Sequence, residues 1–214
     1  MLMRAPRESG SWTWDLDGVA EPGLESMLEI GGRMSAVLEA QALLAPDSLE
    51  WDWSVAGKGV LNVRCRLNIR ARPLGDPSLP DRLRACRPTG NPQADIDGLL
   101  VLGPGAWFDA NGVRHEEYRL VELLVTSDES GIWAELSVFH DVWGPCDFRG
   151  DPQPIIHANN APRLASALRE LDWVLGVAAE PGEPTYYGRA ERYGLGAPDL
   201  IDGLGPDLTD AALG

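Results

Sequence analysis

The sequence predicts an α+β fold, an antiparallel sheet of about five or six strands with two main helices packed on one face. Three observations predict it. Several segments alternate apolar and polar residues, the period of a half-buried strand. Two longer stretches repeat apolar residues at intervals of three and four, the period of a helix with one buried stripe. The later strand-like segments follow one another through short turn sequences, which makes an antiparallel meander.

From Trp12 to Leu16 apolar residues alternate with Thr13 and Asp15, and Asp17-Gly18 then signals a turn. After Pro22-Gly23, residues Leu24, Met27, Leu28, Met34, Val37, Leu38, Ala42 and Leu44 form one apolar stripe, so a helix runs here and ends before Pro46. Gly31 lies on that stripe and implies a close contact. Trp51, Trp53 and Val55 alternate with Asp52 and Ser54, and the shared face of each Trp pair, like that of Trp12 and Trp14, is expected in the core. The cleanest strand spans Val60 to Ala71. Its odd positions are Leu61, Val63, Cys65, Leu67, Ile69 and Ala71, and its even positions include Arg64, Arg66, Arg70 and Arg72, so one face is apolar and the other basic.

Residues 73 to 98 carry five prolines and form a long connection with a short helical turn around Leu79 to Cys86. Gly98 to Leu102, Val113 to Val125 and Ile132 to Asp141 complete the strands, with turns at Asp109 to Gly112 and Ser127 to Gly131. In the last strand Ile132, Ala134, Leu136, Val138 and His140 are expected to face the helices, and Trp133, Glu135, Ser137 and Phe139 the other side. A second helix is expected to begin at Asn159 or Asn160 as N-cap, with Pro162 in its first turn, and to close at Gly176. Residues 1–195 then form a single α+β domain, and 196–214, acidic and rich in Gly and Pro, a loosely ordered tail.

Of 214 residues, 44% are hydrophobic and 24% charged, the composition of a globular protein. Lys and Arg number 18 against 33 Asp and Glu, a formal net charge of -15, which argues against a dedicated nucleic-acid binder because phosphate neutralisation needs a basic surface. No run approaches the roughly 18 apolar residues of a membrane span. Cys65, Cys86 and Cys146 are odd in number and widely spaced, so a disulfide framework is not expected and a cytoplasmic location is.

Familiar catalytic signatures, cofactor fingerprints and zinc spacings are missing, which points away from an enzyme and implies no cofactor or metal. The candidate catalytic cluster is His140, Cys146 and His157, ligand and nucleophile types brought within 18 residues. Candidate binding residues lie on the outer side of the sheet. Arg64, Arg66 and Arg70 offer planar donor forks, or else pair across strands with Glu116, Glu122 or Glu135, while Trp133 and Phe139 would make an aromatic patch.

Asp141-Val142-Trp143-Gly144-Pro145, Asp147-Phe148-Arg149-Gly150, Pro152-Gln153-Pro154 and Asn159-Asn160-Ala161-Pro162-Arg163-Leu164 resemble small acidic proteins of actinobacteria, some of which are similar to immunity proteins found beside polymorphic toxins. The resemblance covers about residues 130 to 176 and carries across no catalytic residue. It implies a non-catalytic interaction protein of the toxin-neutralising kind, whose acidity steers it to a basic protein partner. A small-ligand or carbohydrate-binding domain using the Trp and Arg face, and a metal- or thiol-dependent hydrolase, are the alternatives.

Overall fold

The computed structural model describes residues 2–70, 72–128 and 130–212. In chain order the elements are β1 (Gly10–Asp15), α1 (Leu24–Ala40), β2 (Ser48–Val55), β3 (Gly59–Asn68), α2 (Leu79–Arg84), β4 (Asp95–Ile96), β5 (Gly98–Leu102), β6 (Pro104–Phe108), β7 (Arg114–Tyr118), β8 (Val121–Asp128) and β9 (Gly131–Val138). A 3-10 turn follows at Asp141–Trp143, then α3 (Pro154–Leu175), β10 (Glu180–Pro181), β11 (Ala190–Glu191), β12 (Gly194–Leu195) and α4 (Thr209–Ala212). The α+β class is as expected, but the sheet is larger than five or six strands. Among the described residues the main sheet has 8 strands in the order β10-β1-β9-β8-β5-β2-β3, with β4 also paired to β2. Every pairing in it is antiparallel.

Register explains why the sheet has two different faces. Trp12, Leu136, Leu123, Val101, Leu49 and Leu67 are successive partners across six strands, an unbroken apolar row beneath the helices. One residue along, Thr13, Glu135, Leu124, Leu100, Glu50 and Arg66 make the corresponding row on the outer face. A slip of one residue would exchange the two rows, so burial of the first fixes the register. Trp12, Trp14, Trp51 and Trp53 are all in the core, as their alternation predicts.

Helix α1 packs on β8, β5 and β9 and against α3. At Gly31 the approach is close, since a Cβ there would lie 3.1 Å from Leu74 Cδ2 and 3.7 Å from the Val101 and Val125 methyls. The far end of α3 is tied to the sheet by one carboxylate. Asp172 Oδ1 accepts the Trp14 indole N–H (2.9 Å) and the Ala179 N–H (2.9 Å), and Oδ2 accepts the Tyr193 hydroxyl (3.0 Å). Because Asp172→Ala strands three donors at once, one of them on a fully buried Trp, it is expected to cost about 3 kcal/mol in urea unfolding. A loss below about 1 kcal/mol would show that water replaces the carboxylate.

Four sequence expectations change. The segment expected as one strand from Val113 to Val125 is two, β7 and β8, because Arg119 adopts a left-handed backbone (φ 59) and turns the chain. β7 pairs with β6, an additional strand, in a separate hairpin. Helix α3 starts at Pro154 and carries Pro162 in its interior. Asn159 and Asn160 are not its cap. Asn160 instead receives the Phe108 N–H (2.9 Å) and donates to the Phe108 carbonyl (2.7 Å), while Asn159 donates to the Asp109 carbonyl (2.9 Å), so both pin the β6–β7 hairpin.

The strand expected over Val60 to Ala71 ends at Asn68, and Ala71 lies outside the described residues, as does Glu129 in the turn after β8. Its apolar face is only partly covered: Val63 is 40% exposed, whereas Ile69 beyond the strand is 1% exposed. The reason is position, because β3 is the sheet's edge and bulges at Asn62 (φ 54), where the register with β2 shifts.

The segment expected as a loosely ordered tail makes specific contacts within its described residues. Gly205 N–H donates to the Gly150 carbonyl (2.8 Å), Leu208 N–H to the Phe148 carbonyl (2.7 Å), and Leu208 is buried with Ala5 and Phe148. No helix among the described residues is long and apolar enough to cross a membrane.

Candidate functional site

Among the described residues no helix crosses the middle of the main sheet's outer face, and its side chains line a trough of about 440 Å³. Acidic groups dominate it. Glu50, Asp52 and Glu122 are paired: Glu50 with Arg66 (3.5 Å), Asp52 with Arg64 (2.9 Å), and Glu122 with both Arg4 (2.7 Å) and Arg119 (2.9 Å). Glu8, Asp97 and Glu135 line the same trough and make no ion pair among the described residues. Among the described residues Glu135 accepts only the Ser137 hydroxyl (2.8 Å). The face is therefore a floor of neutral Leu124, Leu100 and Thr126 rimmed by uncompensated carboxylates.

The strand arginines are committed to neighbours other than the expected ones. The partners of Arg64, Arg66 and Arg70 come from β2 and its approach, and that of Arg72 from the loop after β3, rather than from Glu116, Glu122 or Glu135. Besides Arg64 with Asp52 and Arg66 with Glu50, Arg70 reaches Asp47 (3.3 Å) and Arg72 reaches Asp76 (2.8 Å). Arg66 also donates to the Tyr118 hydroxyl (2.5 Å), which in turn donates to Asp47 (3.1 Å), so β7 is bonded to the β2–β3 edge.

Trp133 and Phe139 do not form one aromatic patch. Both are half-buried, and six residues of strand set them roughly 20 Å apart. Trp133 is paired in register with Asp15 and Thr126, and Phe139 is capped by the Arg4 guanidinium at 4.3 Å. A sugar-stacking row would need adjacent rings, which this spacing denies.

A second concave feature lies where β9 gives way to the 3-10 turn. A cavity of about 240 Å³ there brings His140 and Cys146 together, as the sequence cluster proposes, but His157 is on α3 and does not line it. Asp141, Ser9 and the 184–199 segment complete the wall. Asp141 directly follows His140 in the chain, whereas sequence reading missed Ser9 and the 184–199 segment because they come from opposite ends of it.

The N-terminal strand reaches the wall through Ser9 N–H, which donates to the Val138 carbonyl (2.8 Å), and Thr185 Oγ1, which donates to the Glu8 carbonyl (2.8 Å). Burial pushes the His140 imidazole down to about 4 and the Asp141 carboxyl up to about 6, each shift being against the charged form, which leaves the imidazole neutral and the carboxylate mainly ionised at pH 7. Asp141 Oδ1 accepts the Met3 N–H (3.1 Å).

Among the described residues no three His, Cys, Asp or Glu side chains converge as a metal site needs, and the three cysteines make no disulfide. No protein-family model matches the chain, and neither does any curated protein or any solved structure.

Proposed function

We propose that the chain is a non-catalytic protein-interaction module of the immunity type, which receives a basic protein on the outer face of its sheet in the cytoplasm. One observation carries this reading: Glu8, Asp97 and Glu135 stand unpaired around a trough whose other carboxylates are already neutralised. A net charge of -15 adds long-range attraction, which raises the association rate with a positively charged partner. Lysines or arginines of the partner would take the place of the missing counter-charges, and Leu100 and Leu124 would supply an apolar floor.

The test is co-purification with the products of adjacent genes, followed by association kinetics at low and moderate salt. The triple variant Glu8→Gln, Asp97→Asn, Glu135→Gln is expected to slow association about tenfold while leaving the unfolding temperature nearly unchanged. Absence of any complex at low salt, or unaltered kinetics in the triple variant, would overturn the reading.

A further inference from the structure

The segment from 196 to 210 presents a surface of another kind, and none of it lines the trough. Leu200, Ile201 and Leu204 are 55%, 78% and 52% exposed, three large aliphatic side chains within five residues. Single exposed aliphatics are ordinary, but a contiguous group of them marks a surface that meets something apolar.

These three are held out on a braced tip. Ile201 N–H donates to the Leu204 carbonyl (2.9 Å) and Leu204 N–H to the Ile201 carbonyl (3.0 Å), with Asp202 and Gly203 as the turn between them. Both turn residues have a left-handed φ (52 and 84), the conformation that closes a two-residue hairpin. Each foot of the hairpin is tied to the rest of the chain: Gly196 N–H donates to the Arg189 carbonyl (2.8 Å) and Gly205 N–H to the Gly150 carbonyl (2.8 Å). A Cβ built on Gly203 would meet nothing within 4 Å, so the turn stands clear. A braced tip has little conformational freedom to lose on binding, which lets a few side chains hold a partner.

The charge around the tip says what kind of partner fits. No Lys or Arg occurs from 193 to 214, whereas Asp199, Asp202, Asp207 and Asp210 do. Asp207 is turned back on the Thr209 hydroxyl (2.6 Å). Asp199 and Asp202 bracket Leu200 and Ile201 and make no ion pair among the described residues. An anionic lipid surface would repel them, and a wholly apolar surface would strip their water without replacing it.

We propose that the 200–204 hairpin is a docking tip for a basic protein surface, with Leu200, Ile201 and Leu204 seated on an apolar stripe whose flanking lysines or arginines meet Asp199 and Asp202. This contact is separate from the trough and does not rest on it.

The probe is a short synthetic helix of leucine and lysine, apolar along one side and basic along the other. A leucine–glutamate helix keeps the apolar side without the positive charge, and a serine–lysine peptide keeps the charge without the apolar side. Titrating each labelled peptide with the full chain and reading its fluorescence anisotropy, saturable binding of the leucine–lysine helix is expected, at least about tenfold tighter than either control. Ile201→Ser combined with Leu204→Ser is expected to weaken it about tenfold or more, with urea unfolding like the parent's because both side chains are exposed. Asp199→Asn combined with Asp202→Asn, asparagine also tolerating the left-handed φ at 202, is expected to weaken it severalfold and to flatten its salt dependence.

The aliphatic double variant is also measured in the background of the sheet-face triple variant, where the trough has lost its free charges. The same loss of about tenfold is expected there, so failure of the trough reading leaves this result standing. The proposal is overturned if the leucine–lysine helix binds no tighter than the serine–lysine peptide, or if the aliphatic double variant binds like the parent. It is overturned as well if the parent partitions onto phosphatidylcholine vesicles and that variant does not, which would make the tip a lipid anchor.

Discussion

Gly103→Ala and Gly105→Ala are each expected to destabilise the protein by about 4 kcal/mol or more, enough to remove most folded material at physiological temperature. Residues 42–47 run alongside 102–106 with direct backbone bonds: Ala45 N–H to the Pro104 carbonyl (2.8 Å), Asp47 N–H to the Leu102 carbonyl (2.9 Å) and Ala106 N–H to the Ala42 carbonyl (2.8 Å). At Gly103 a Cβ would sit 2.8 Å from the Ala45 carbonyl carbon and closer still to its oxygen. At Gly105 it would sit 2.9 Å from both the Leu43 carbonyl carbon and Leu120 Cβ.

At both sites the nearest atom is a backbone carbonyl oxygen, which cannot move aside as a flexible side chain can, so the two segments must separate. Gly90→Ala, with nothing within 4 Å of the added atom, is the control and should stay within about 0.5 kcal/mol of the parent. Equal urea midpoints for Gly103→Ala and Gly90→Ala would refute the close approach.

The second large effect concerns His140 and Asp141, whose titrations oppose each other. Below pH 6.5 an unfolded histidine gains a proton that folded His140, depressed to about 4, refuses, so stability falls as pH drops through that window. Folded Asp141, raised to about 6, gains a proton that an unfolded aspartate refuses down to about 3.8, so its contribution rises over nearly the same window. Each is worth about 3 kcal/mol, and together they nearly cancel between pH 6 and 4.

Single substitutions should expose the hidden slopes. Relative to the parent, Asp141→Asn is expected to lose roughly 2 to 3 kcal/mol between pH 6.5 and 4.5, and His140→Leu to gain about as much. Parallel stability profiles for the parent and both variants, measured by urea unfolding, would show that burial shifts neither group.

How much of this was legible depends on where each feature is encoded. Strands β1, β2 and β9 announce themselves because tryptophans or aliphatics recur at every second residue and one face is buried. The β6–β7 hairpin does not, because Ala106-Trp107-Phe108 has no alternation and the break between β7 and β8 rests on a left-handed arginine with no Gly or Pro to mark it. The start of α3 is masked by Pro152-Gln153-Pro154, which reads as loop, while Asn159-Asn160 imitates a cap. At the cavity, His140 and Cys146 are six residues apart and were legible together. Ser9 and Tyr187 reach it only through tertiary packing, which local pattern does not encode.

One end of the sheet finishes in the two-residue β10, too short to template another chain, but the other ends in β3, ten residues long. A long bare edge invites a second copy to add a strand and begin a fibre. Val60 at 60% exposed would be the sticky point of such an addition. Arg64 and Arg66 place positive charge along that rim, and the kink at Asn62 interrupts its straight run of N–H and C=O groups. The charged, kinked rim thereby works against self-templating at this edge.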